Sequence, residues 1–161
     1  MKREDFNKQE MSYLTDFIKF ADTKAGVLVG FDSLLVKVAF GNITPHFLRT
    51  FTDFTDLLGL LILFLAILFA LLVVFPRTRS KPHEGFIFWE NIIQFKTASR
   101  YESHLSSLDE NEIDRIAAEQ NFHLAVTANR KYRMLKKSFW YSAIGSSLVL
   151  LSILIPYLFY I

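Results

Sequence analysis

The chain has 161 residues, no cysteine, a net charge of +2, and 52% hydrophobic and 16% aromatic residues. These values exclude disulfides, thiolate catalysis and cysteine-based metal sites, and they give no charge basis for a nucleic-acid partner. One domain is expected from the length, and the apolar excess, gathered in blocks, points to a bilayer.

The N-terminus, MKREDFNKQE, runs into mixed polar sequence with no apolar core beside a small-residue cleavage site. No signal peptide is expected, so the mature protein should be the whole chain. Residues 1–24 are read as an N-terminal helix and 25–43 as a first transmembrane helix. The stretch FIKFADTKAGVLVGFDSLLVKVAF (17–40) is apolar but carries Lys19, Asp22, Lys24, Asp32 and Lys37. Wound at 100° per residue, Lys19, Asp22, Gly30, Ser33 and Lys37 fall within about 40° of Gly26. They form a narrow polar and small-residue seam along about 27 Å of helix. Gly26 and Gly30 make a GxxxG pair that lets backbones approach closely. The seam is expected to face protein, packed on the other spans or lining an oligomer contact or water path. Lys24 lies off it and can snorkel, whereas Asp32, also off it, sits near mid-span and has no such escape.

Leu57 to Phe75, LLGLLILFLAILFALLVVF, is nineteen residues without a charge. At 1.5 Å per residue it covers about 28 Å, the thickness of the hydrocarbon core. Residues 57–75 are therefore a transmembrane helix. The region 76–137 reads as a small cytoplasmic helical part. It opens with a turn-rich break, continues with a helix over Phe86–His104, and then shows helix-start signals at Ser107–Glu110 and Asp109–Glu112. From Asn111 the helical pattern runs without a breaker into residues 138–161, SFWYSAIGSSLVLLSILIPYLFYI. That last segment is uncharged, with Trp140 and Tyr141 near one end and Tyr157 and Tyr160 near the other, as in a transmembrane helix with two aromatic belts.

Arg77–Lys137 carries eleven Lys and Arg, against Arg49 alone in Gly41–Asp56. By the positive-inside rule the long connection is cytoplasmic and the C-terminus outside. If 25–43 spans, residues 1–24 are cytoplasmic, which their five basic residues favour; if not, they lie outside. The fold class is thus all-α, a helical membrane protein with three transmembrane helices and a small cytoplasmic helical part.

Along the long cytoplasmic helix, Ile113, Ile116, Ala117, Leu124, Ala128 and Leu135 share an apolar face with Gln120, Thr127 and Lys131. A lysine on such a face needs a partner. It is either a carboxylate such as Asp22 or Asp16, or an anionic ligand held between helices. Arg130, Arg133, Lys136 and Lys137 face elsewhere, toward topology and lipid headgroups. The four histidines are scattered without metal-ligand spacing, and no phosphate loop or nucleophile elbow occurs. Neither an enzyme nor a metal or cofactor is expected.

ADTKAGVLVGFDSLL (21–35), PRTR…GFIFWENI (76–92) and FHLAVTANRKYRMLKKS (122–138) resemble the Pycsar transmembrane effectors of bacterial antiphage defence. The resemblance covers nearly the whole chain. It implies a second messenger, cyclic CMP or cyclic UMP, made by a pyrimidine cyclase encoded nearby. It also implies an effector that binds the messenger and impairs the inner membrane, causing abortive infection. Carried onto this sequence, it falls on Asp22, Lys24 and Lys131. Gln120 and Tyr132 join them as candidate ligand contacts, to read or stack on the base. Gly26, Gly30, Ser33 and Lys37 are the candidate homo-oligomer contacts. The alternative is a membrane-anchored scaffold or sensor that binds a protein through its cytoplasmic helices.

Overall fold

The computed structural model describes residues 3–42, 51–75 and 89–159, and among these it contains helices and no strand. Helix α1 spans Arg3–Asn42, α2 Phe51–Val74, α3 Trp89–Ile92, α4 Ala98–Ser106 and α5 Glu110–Phe159. The expected turn-rich break at 76–85 lies outside the described residues. So does the first half of the GFIFWENI motif, residues 85–88.

Helix α1 is one continuous element, so no helix boundary separates residues 3–24 from 25–42. Glu4 and Asp5 sit in its first turn, where acids suit the helix's positive end. Its mid-helix hydroxyls bond back one turn, Thr15 to the Met11 carbonyl at 2.8 Å and Thr23 to that of Lys19 at 3.0 Å.

Helix α5 runs unbroken for 50 residues, or about 75 Å. Its start is the one the acidic signal indicates, because Asp109 Oδ1 accepts a hydrogen bond from the Glu112 backbone N–H at 2.7 Å. The helix expected over 86–104 is interrupted instead. After α3, a 3₁₀ turn over Ile93–Phe95 ends at Lys96 with φ 61°, and Thr97 then caps α4 by accepting from the Arg100 N–H. A lysine in the left-handed region carries no sequence signature, which is why the break is invisible in the sequence.

The chain divides into two compact units. The first comprises Met1–Phe17 with Pro76–Ala128, and the second Ile18–Phe75 with Asn129–Ile161. In the first, Asn121 Nδ2 donates to the Asn7 carbonyl at 3.0 Å, and Asn7 Nδ2 donates to the Asp114 carbonyl at 3.4 Å. The amides of Asn7 and Asn121 thereby tie α1 to α5. Phe95 packs its ring on Tyr101 and His104, closing α4 onto the 3₁₀ turn.

The second unit is a three-helix bundle of the later part of α1, α2 and the later part of α5. Asp22 pairs with Lys131 and Asp32 with Ser142, so α1 and α5 run parallel. Ser138 meets Ala66 and Ser152 meets Asp56, so α2 runs antiparallel to α5. One core cluster gathers Ala21, Ala25, Ala70, Val73 and Leu135, and a second gathers Ala39, Leu60, Leu63 and Val149. A Cβ on Gly59 would come within 2.9 Å of Val149, and one on Gly145 within 2.9 Å of Leu63. Only glycine allows α2 and α5 to approach this closely. Among the described residues two helices are long and apolar enough to cross a membrane, α2 over Thr52–Val74 and α5 within Glu110–Ile155.

Candidate functional site

The bundle face of α5 carries Lys131, Leu135, Ser138, Ser142, Gly145, Val149 and Ser152, spaced alternately by four and three residues. The polar members of this row each have a specific partner. Lys131 Nζ forms an ion pair with Asp22 Oδ1. The Ser138 hydroxyl donates to the Ala66 carbonyl at 2.9 Å, that of Ser142 donates to Asp32 Oδ1 at 2.6 Å, and that of Ser152 donates to Asp56 Oδ1. Asp32 is fully buried, and its Oδ2 has no hydrogen-bond partner among the described residues. This carboxyl of α1 thus points into the bundle, where a serine of α5 meets it.

Of the two partners weighed for Lys131, the carboxylate of Asp22 is the one the structure shows. The pair is not sealed, since the Lys131 side chain is 17% exposed and that of Asp22 35%. Tyr132, next on α5, is half-buried and packs against the cluster of Ala21, Ala25 and Leu135. Lys24 is engaged elsewhere, with its ammonium 4.2 Å from the centroid of the Phe20 ring. Gln120 belongs to the first unit, where it is buried and its Nε2 lacks a hydrogen-bond partner among the described residues. The Oδ1 of the neighbouring Asn121 is in the same condition.

Of the seam expected to pack on the other spans or to line an oligomer contact or water path, Asp22 meets Lys131 of α5. Among the described residues nothing lies within 4 Å of a Cβ built on Gly26 or Gly30, and Ser33 and Lys37 are exposed. The Ser33 hydroxyl bonds to its own helix, at the Val29 carbonyl 2.6 Å away. The face of α1 that meets α2 and α5 is that of Ala21, Ala25, Asp32 and Ala39, about a third of a turn from the seam.

Sequence reasoning missed Asn7, Asn121, Ser142, Asp56 and Ser152. Serines in a membrane span pass as small packing residues, and only the spacing Ser138, Ser142, Ser152 hinted at one face. Among the described residues no group of His, Asp and Glu is placed to hold a metal ion.

A sequence profile of the Pycsar effector protein domain matches residues 6–158. The Pycsar effector protein SaPycTM of Staphylococcus aureus is 32% identical over 152 residues, covering 94% of this chain and 95% of that protein. No solved structure matches the chain. The match over residues 6–158 covers the helices of the described bundle. The chain belongs to the Pycsar effector protein family, the membrane effectors of cyclic-nucleotide defence against phage.

Proposed function

We propose that the chain binds cyclic CMP or cyclic UMP through Lys131 and thereby loosens the α1–α5 contact, impairing the inner membrane and ending the infected cell's growth. The observation that carries this reading is the partly exposed Lys131–Asp22 pair. A cyclic mononucleotide brings one phosphate charge and would compete with Asp22 for the same ammonium. Binding and release of α1 from α5 then become one event, which is the differential affinity that any ligand-driven change requires. The obstacle is small, because an ion pair this accessible is worth about 1 kcal/mol or less. Tyr132, beside Lys131, offers a ring for the pyrimidine to stack on. Lys24, in the same unit, is the further candidate from the sequence.

The register supports a reading with three spans. Helix α1 runs parallel to α5 from Asp22–Lys131 to Asp32–Ser142, and Ala39 shares a cluster with Val149. If α5 crosses the bilayer, the part of α1 beside it crosses too. Its buried Asp32 and its exposed Val27, Phe31, Leu34 and Val38 suit a lipid-facing helix with its carboxyl turned inward. The N-terminus is then cytoplasmic and the C-terminus outside. The protein works without catalysis, as a homo-oligomer, with a cyclase as its functional partner.

Titration calorimetry of the full-length protein in detergent with the four common cyclic mononucleotides tests the reading. Heat is expected with cyclic CMP or cyclic UMP and lost in Lys131→Ala. Binding that survives Lys131→Ala unchanged would move the site elsewhere, and no binding of any of the four would favour a protein partner for the cytoplasmic helices.

A further inference from the structure

We infer that the outward face of α5 from Arg133 to Ile144 is a site for an anionic glycerophospholipid. Arg133, Lys136, Lys137, Trp140, Tyr141 and Ile144 line an open cleft of about 500 Å³ there, entirely within the second unit. Along the helix these residues read as cations, then amphipathic rings, then an aliphatic side chain. That is the order of a lipid's own groups, from phosphate through the glycerol esters to the acyl chain.

The charge is uncompensated: α5 has no Asp or Glu beyond Glu119, and no carboxylate among the described residues pairs with Arg133, Lys136 or Lys137. Lys131, which does have a carboxylate, points to the opposite, bundle side of the helix. Part of the cleft is held ready. The Tyr141 ring stacks on Phe69 at 5.3 Å and 6°, and the Lys137 ammonium lies 5.4 Å from the same Phe69 ring. Trp140 and Ile144 remain about half exposed, although they sit where the helix becomes fully apolar. A soluble anion would satisfy the cations and leave those two side chains uncovered, whereas a lipid satisfies both.

The inference rests on α5 lying in a bilayer and is independent of the nucleotide reading. The experiment uses full-length protein carrying Trp89→Phe, so that Trp140 is the sole tryptophan, reconstituted in phosphatidylcholine vesicles. Brominated phosphatidylglycerol is titrated against brominated phosphatidylcholine as a quencher of Trp140 fluorescence. Half-maximal quenching is expected at a mole fraction roughly tenfold or more lower for the anionic lipid, since each near-surface cation contributes about fivefold. The selectivity should fall severalfold in Lys136→Gln, a single exposed change that leaves the basic flank otherwise intact, and persist in Lys136→Arg. Equal quenching by the two lipids would overturn the proposal without recourse to any variant. So would loss of the anionic lipid's quenching on adding millimolar inorganic phosphate or cyclic CMP, which would assign the cleft to a soluble anion.

Discussion

At the scale of single residues, two carboxyls of α1 have distinct roles. Asp22 sits in a partly exposed ion pair, where a change of partner costs little, while Asp32 is buried against Ser142. Removing the Ser142 hydroxyl leaves both oxygens of a buried carboxyl without a partner, which costs about 1–3 kcal/mol. Ser147 offers the control, since its exposed hydroxyl bonds only to the Ala143 carbonyl of its own helix. Ser142→Ala is expected to lower the stability of the detergent-solubilised protein by that amount, and Ser147→Ala by less than about 0.5 kcal/mol. Unfolding by titrated denaturing detergent, followed by circular dichroism, measures both. Equal effects would mean that the Asp32–Ser142 bond adds nothing to the bundle. Asp22→Asn makes the complementary case: the displaced carboxylate no longer competes for Lys131, so cyclic-nucleotide affinity should rise severalfold in the same calorimetry. A fall would make Asp22 a ligand contact instead of a competitor.

At the scale of helices, the sequence was read correctly where one periodicity decided the matter. The uncharged run of α2, the start of α5 at Asp109–Glu112 and its passage into the apolar end all follow from local pattern. The lysine on the apolar stripe demanded a partner, and Asp22 was one of two carboxylates named. What local pattern could not supply was which face of α1 meets which neighbour. Winding the helix shows that Gly26, Gly30, Ser33 and Lys37 share a side, but alanine is also small enough to serve as a helix contact. The contact face belongs to Ala21, Ala25 and Ala39. Asp32 stayed unexplained because its partner lies 110 residues away, in a segment whose serines carry no signature of their own. The close approach that does need glycine is between α2 and α5. Gly145→Leu should therefore destabilise the protomer by about 1–3 kcal/mol or more, since its side chain must enter the space of Leu63. Gly30→Leu, facing open space, should leave protomer stability unchanged in the same unfolding assay. A large loss in Gly30→Leu would place a protein surface against that face within the protomer itself.

At the scale of the whole molecule, the described bundle has no room for a conduit. Leu63, Val73 and Val149 fill its centre, and the buried carboxyls of Asp32 and Asp56 each accept from a serine of α5. If the proposed impairment of the membrane is a leak, it requires several copies, and the open seam of Gly26, Gly30, Ser33 and Lys37 is the surface of α1 left for them to meet. Release of α1 from α5 would uncover Asp32 and Ser142 at the same moment, giving an assembly polar groups with which to hydrate its interior. Dye release from vesicles containing the full-length protein separates these steps. With cyclic CMP or cyclic UMP added, the initial rate should rise more steeply than linearly with protein-to-lipid ratio, because one copy cannot form the path. Gly30→Leu should bind nucleotide as the unaltered protein does and yet release at least severalfold less dye. If the rate instead rises linearly from vesicles holding one protomer on average, assembly through the seam is excluded. Release would then have to come from a single bundle opening around Asp32.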